Sequence, residues 1–305
     1  MKRIVLGSTL VLALALAAAF YWLFYDNRPP EDGTFPLDIA ALRQEAARMP
    51  GAGPDSIEVE TLYWVTVPRI ALVTGTDWSD LIFVRNSYRL VWPDSSLIID
   101  TGSDEPTAQH DPRLTRYDAA AWQRVQAGLL AANTIVVTHE HCDHIGGLLQ
   151  SPHLAAILPK AMLNEEQFTN IPECTVWPDG SREGFVPLKY EGIKAIAPGV
   201  VLIRAPGHTP GSQMVYVRQA DGREFLFAGD AASSLDNVRL IRPRSRYVMV
   251  FGGHEDDRDE VFRQTIAIKQ LMEANPGLAL VPGHDEAALL DLEKQGLLKR
   301  GFSVR

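Results

Sequence analysis

The segment "THEHCDHIGG", Thr138 to Gly147, gathers His139, His141 and His144 with two carboxylates and a cysteine inside six consecutive positions. Imidazole nitrogen and carboxylate oxygen are donors that a divalent ion such as zinc accepts. In an extended stretch, residues two apart project to one side, so His139 and His141 can face a common point. Asp143 and His144 are adjacent and share a target only if the backbone turns there, and the following "IGGLL" favours a turn into a helix. A second ion about 3.5–4 Å from the first would let two ions act on one water, and this segment would then supply half of a two-metal centre.

Such a centre needs more donors and elements that hold them. The apolar run "TIVV" (134–137) reads as a strand that feeds the motif, and helix 117–132 precedes it. Three further candidates each follow a strand-like run: His208 in "PGHTPGS" after 200–205, Asp230 in "FAGDAA" after 224–229, and His284 in "LVPGHD" after 277–281. Each stands near glycine, which permits a tight backbone path beside a site. Earlier runs rich in β-branched and aromatic residues predict strands over 57–67, 81–92 and 96–100, the last ending at Asp100 in "IIDTGS". Residues 213–219 and 224–229 read as a hairpin turning through "ADG", and 256–274 as a long helix. Two sets of strands with helices between them predict an α/β protein of stacked sheets with helices on their outer faces.

Composition narrows the partners. The 305 residues are 46% hydrophobic and 22% charged, a globular balance, and the formal charge of −9 comes without a compensating basic run. Nucleic acid is therefore not expected as a partner. Cys142 and Cys174 are too few for a disulfide framework, although an oxidising compartment would permit one bridge; Cys142 is read as a bystander that points away from the histidine face. After Lys2 and Arg3, Ile4 to Tyr25 has no charge across 22 positions, and about 20 apolar residues span a bilayer core. The aromatic "FYWLFY" continues the run where an interfacial belt would lie. Residues 1–25 are read as a membrane anchor in preference to a cleaved signal peptide, with the basic end cytoplasmic and the rest outside, periplasmic in a Gram-negative cell. Residues 26–56 read as a tether with a short helix in "LDIAALRQEAARM", and 57–305 as the catalytic domain.

With the ordered motifs together, the chain resembles the metallo-β-lactamase-fold hydrolases, whose HxHxDH pattern is matched by His139, His141, Asp143 and His144, and whose later histidine, aspartate and histidine are matched by His208, Asp230 and His284. The resemblance runs from about Ile57 to His284 and implies a four-layer αββα sandwich. It also implies that His139, His141 and His208 hold one metal, that Asp143, His144 and His284 hold the other, and that Asp230 bridges them. Asp100 matches an early aspartate that orients a ligand. Asp143 is the candidate for proton delivery to the leaving group. Two divalent ions are implied, zinc first, iron or manganese also compatible. "APGHTPGS" and "FAGDAA" are most like the lactonase and glyoxalase II-like branch, which predicts a small lactone, thioester or ester as substrate. The lactonase pattern, however, has a tyrosine three residues after the bridging aspartate, where this chain has Ser233. "RPRSRYVMVFGG" is basic and loop-like without defining a glutathione site. An iron-dependent oxidoreductase, a phosphodiesterase and a β-lactam hydrolase of the same fold are the competing readings. A non-catalytic binding protein is disfavoured by the intact donor set. His110, His153 and His254 carry no motif context, and the oligomeric state is not legible.

Overall fold

A computed structural model describes residues 2–172, 174–251 and 257–303, the side chains of residues 2–6 aside. The strands are β1 (Ser56–Pro68), β2 (Asp80–Val91), β3 (Ser96–Ile99), β4 (Leu114–Tyr117), β5 (Thr134–Val136), β6 (Ile193–Ala197), β7 (Val200–Arg204), β8 (Gln213–Arg218), β9 (Glu224–Gly229), β10 (Leu278–Pro282) and β11 (Lys299–Arg300). They form two sheets, in the orders β11-β1-β2-β3-β5, with β4 also on β1, and β10-β9-β8-β7-β6. β8 and β9 are the expected antiparallel hairpin, whereas β3 with β5 and β9 with β10 run parallel.

β1 is buried along most of its length because both of its faces are covered, as its near-continuous apolar sequence requires. It pairs with β2 from Ser56↔Val91 to Pro68↔Asp80, with an irregularity between Thr61 and Tyr63. An extra residue there reverses which side chains face which way. Before it Ile57 and Val59 point to the second sheet; beyond it Trp64 does, while Tyr63, Val65 and Val67 turn to the helices.

Apolar side chains fill three spaces. One lies between the sheets, joining Val84, Leu90 and Ile99 to Leu202, Val215 and Phe227. A second lies between the first sheet and helices Ala119–Ala131 and Cys142–Leu149, through Val125, Leu129, Ile145 and Leu148. The third packs helices Ile39–Ala46 and Arg258–Ala274 on the second sheet through Leu42, Ala46, Ile268 and Leu271.

Several expectations need amendment. The helix over 117–132 is Ala119–Ala131, started by Asp118, whose carboxylate accepts from Ala121 N at 2.9 Å. β4 and β6 were not expected, being short and carrying little β-branched density. Within "RPRSRYVMVFGG", Arg246–Phe251 is helical rather than a loop. Segment 26–56 is not free: Phe35, Leu42 and Ala46 are buried against the second sheet, and Asp26 is buried by arginines. Cys142 and Cys174 form a disulfide, so the pairing that sequence left aside is made; the residues between them fold back to bring the two side chains together. His254 lies outside the described residues.

The helix Lys2–Phe24 is long and apolar enough to cross a membrane by length and composition, with mean hydropathy 1.9 and 6% burial over Gly7–Phe24.

Candidate metal centre

Strand ends deliver the donors. β5 stops at Val136 and residues 138–141 bend before the helix Cys142–Leu149 begins; the His141 carbonyl accepts from His144 N at 2.9 Å and Ile145 N at 3.0 Å. That first helical turn is what swings Asp143 and His144 away from His139 and His141. The loop after β3 clamps it: Thr101 N donates to the His144 carbonyl and Gly147 N to the Gly102 carbonyl, both at 2.7 Å. Gly147 is required here, since a Cβ would collide with the Thr101 carbonyl. β7, β9 and β10 end just before His208, Asp230 and His284, so donors from both sheets meet at one edge of the molecule.

His139 Nε2 lies 3.1 Å from His141 Nδ1, which lies 3.0 Å from His208 Nε2. His144 Nε2 and His284 Nε2 are 3.3 Å apart, each 3.7 Å from Asp143 Oδ2. Asp230 spans both sets: its Oδ2 is 3.4 Å from His208 Nε2, and its Oδ1 is 2.8 Å from His284 Nε2 and 4.0 Å from His144 Nε2. Four donors at about 2.0–2.1 Å from a tetrahedral zinc ion would be separated by about 3.3 Å. The nitrogen spacings fit that edge length, and donors from His139, His141 and His208, from Asp143, His144 and His284, and from His139, His144 and Asp230 form three groups within 4.8 Å. All seven residues expected at the centre are brought together.

The charge states suit ligation. Burial pulls His139, His141 and His284 below the ordinary imidazole range, leaving them neutral. Burial raises the carboxyls of Asp143 and Asp230, but their neighbours outweigh it, the Arg85 guanidinium first for Asp143, and for Asp230 the adjoining His284 ring with the Arg244 guanidinium, and both are held well below the usual range. Asp143 therefore has no proton to give at neutral pH and can deliver one only after accepting it. His144 differs: burial opposes its charge, yet the carboxylates of Asp100 and Asp143 raise it to about 9.

Asp100 stands behind the donors, as expected. Its Oδ2 is 2.9 Å from His144 Nδ1, and its Oδ1 accepts from Thr138 N at 2.6 Å. Its backbone is left-handed, φ 58°, a conformation that Asp and Asn tolerate better than most residues. His284 Nδ1 is 2.9 Å from the Val84 carbonyl, which fixes that proton and leaves Nε2 its lone pair.

Sequence reasoning missed four neighbours. Arg85 on β2 pairs with Asp143 through Nε, its guanidinium carbon 5.4 Å from the Phe83 ring centroid. Arg244 pairs with Asp230, and its Nη2 donates to Ser233 Oγ at 2.7 Å. Buried Glu140 accepts from Thr209 Oγ1 at 2.8 Å and Gly211 N at 3.1 Å, tying the motif to the His208 loop. Gln167 donates to the carbonyls of Val137 and Gly211 at 3.0 and 2.9 Å. Glu140, inside the motif, was the only one with a positional signal. Cys142 belongs to none of the donor groups.

A family model described as the metallo-beta-lactamase superfamily matches residues 82–284. Among curated proteins, an N-acyl homoserine lactonase of Bacillus cereus is 24% identical over 170 residues, and another from a Bacillus species is 25% identical over the same length. Each match covers 49% of this chain and 64% of the relative, so the chain spans under two thirds of the curated relatives' length. Among solved structures, an N-acyl homoserine lactone hydrolase with N-hexanoyl-L-homoserine at its catalytic metal centre superposes with TM-score 0.61 at 16% identity, covering 78% of this chain and 96% of that one. A probable metal-dependent hydrolase from Staphylococcus aureus gives 0.58 at 15% identity, covering 78% and 91%. A dizinc quorum-quenching lactonase gives 0.52 at 14%, covering 75% and 86%. At these identities the structural likeness speaks for the fold.

Proposed function

The chain belongs to the metallo-beta-lactamase superfamily, and from that premise we propose that it is a hydrolase of a small ester-like substrate, a lactone first, using two divalent metal ions with zinc as the favoured metal. The observation that carries this reading is Asp230, one carboxylate oxygen toward each donor set. His139, His141 and His208 would hold one ion, and Asp143, His144 and His284 the other. The full layer order of the family fold, helices outside both sheets, belongs to the same reading and is supported by the three apolar clusters.

Ions bound there would lower the pKa of water toward 7 and polarise a carbonyl oxygen. The chain's own groups do the rest. Asp100 and the Val84 carbonyl keep His144 and His284 oriented with Nε2 toward the centre. Arg85 holds Asp143 ionised and in place, from where it can accept a proton and pass it to the leaving oxygen. Arg244 brings a hydrogen-bond-donating cation to Ser233, the position at which the lactonase pattern has a tyrosine. Ser233 and Arg244 thus place a hydroxyl and a guanidinium beside Asp230 where that pattern has a phenol.

The apolar helix supports a membrane anchor with the catalytic domain outside the cytoplasm, and the Cys142–Cys174 bridge, a feature of oxidising compartments, supports the same side.

The test is metal analysis of the purified full chain with a screen of lactones, thioesters, phosphodiesters and β-lactams. Two ions per chain and turnover of a lactone are expected. His141→Ala should lose both metal and turnover; full activity in that variant would sink the proposed centre, and iron with oxygen uptake would replace hydrolysis by an oxidation.

A further inference from the structure

The last turns of the N-terminal helix do not stop at the domain surface but are built into it. Gly75 N donates to the Phe24 carbonyl at 2.7 Å, and Asn27 Nδ2 to the Ile241 carbonyl at 3.1 Å. Asp26, buried directly after the helix, accepts Arg28 at 2.7 and 2.9 Å and Arg246 at 2.8 Å through its carboxylate, and Arg258 at 2.8 Å through its carbonyl. Such a clamp fixes the angle between helix and domain, which a flexible linker would not do.

Around the clamp lies a ring of aromatic side chains. Trp78 packs on Phe20 and Phe24 at centroid distances of 6.4 and 5.1 Å, Tyr247 on Phe24 at 5.1 Å, and Phe251 on Tyr247 at 5.3 Å. The Arg246 guanidinium lies 5.2 Å from the Trp22 ring. Despite these contacts the outer faces are open: Trp78 and Val250 are 53% exposed and Phe251 67%. Exposed apolar groups gathered on one patch mark an interaction surface rather than the ordinary scatter. Here the patch continues without a gap into the bare apolar helix, and it combines Trp, Tyr and Arg, the residues that settle where hydrocarbon gives way to headgroups.

We propose that this collar, Trp78, Tyr247, Val250 and Phe251 around the clamped end of the helix, seats the catalytic domain directly on the lipid surface, its rings and aliphatic chains entering the headgroup layer. The proposal rests on the membrane-spanning reading of the helix. Its consequence is that the metal centre stands one short segment from the bilayer, because Arg244 reaches Asp230 while Arg246, two residues on, reaches Asp26.

Spin labels on full-length protein in phosphatidylethanolamine–phosphatidylglycerol nanodiscs test this, the native cysteines being paired and so unreactive. Labels enter by Leu14→Cys in the helix, Val250→Cys in the collar and Val186→Cys on an exposed loop elsewhere, read by power saturation with oxygen and an aqueous nickel chelate. The expected result is Leu14 deep in the bilayer, Val250 at interfacial depth with at least a fivefold loss of nickel accessibility relative to Val186, and Val186 in water. Val250 as nickel-accessible as Val186, with Leu14 embedded, overturns the collar and leaves the span standing. Leu14 in water overturns both. Spin–spin broadening between Val250 labels in discs holding several chains overturns the collar in favour of a second copy as its occupant.

Discussion

Replacing Asp100 by Asn should weaken the hold on the second of the two proposed metal ions and change little else. Thr138 N donates to Asp100 Oδ1 at 2.6 Å, so an asparagine must keep its carbonyl oxygen there and turn its NH2 to His144, 2.9 Å away in the native protein. A donor facing Nδ1 requires the lone pair on Nδ1 and places the imidazole proton on Nε2, the atom that must face the metal. The left-handed backbone at φ 58° suits Asn as well as Asp, so the fold should survive. Loss of such an orienting partner lowers metal affinity about tenfold to hundredfold, about 1.4 to 2.7 kcal/mol, and the loss should fall on the ion held by Asp143, His144 and His284. Calorimetric titration in buffers of different ionisation enthalpy reads affinity and proton release together. The native metal-free protein carries a proton on His144, its pKa being about 9, and should release about one more proton per second ion at pH 7 than the variant. Two ions bound by the variant at native affinity, with native proton release, would refute the tautomer assignment and with it the role of Asp100.

Without metal, stability should peak near pH 6.5. The contribution of His144, whose folded pKa is raised to about 9, is complete below 6.5 and is lost as pH rises through 9, whereas His139, His141 and His284, buried with lowered pKa, lose stability as pH falls below 6.5; calorimetry of chelated protein across pH 5–10 checks this, and a melting temperature rising from pH 7 to 9 would contradict it. Cys174→Ser opens a loop with a sequence separation of 32 and should cost about 3.7 kcal/mol by chain entropy, read as a lower denaturant midpoint. Gly147→Ala drives a methyl into the Thr101 carbonyl and should cost about 1–3 kcal/mol together with weaker binding of the second ion; an unchanged metal titration would show that the helix can shift without moving His144.

The donors were legible because their spacing is local: a motif after one strand and single residues after three others, with the strands themselves marked by β-branched runs. Asp100 was legible for the same reason. Arg85 and Arg244 were not, since what makes them matter is contact with Asp143 and Asp230 across the chain, and no periodicity announces it. Glu140 stood in the motif, but its meaning depends on Gly211, 71 positions on. Segment 26–56 looked like a tether because proline, glycine and charge dominate it; the few apolar residues that dock, Phe35, Leu42 and Ala46, are too sparse to form a pattern. The Cys142–Cys174 pairing depended on a fold-back that no motif encodes.

That pairing has a chemical consequence for the metal centre. Cys142 sits between His141 and Asp143 in sequence but in none of the donor groups, and its sulfur is drawn to Cys174 instead. Bound to Cys174 it offers no thiolate. Reduction would leave the donor set as it is and release instead a cross-link on the first residue of the helix that carries Asp143 and His144, so redox state would act on how firmly those two donors are held.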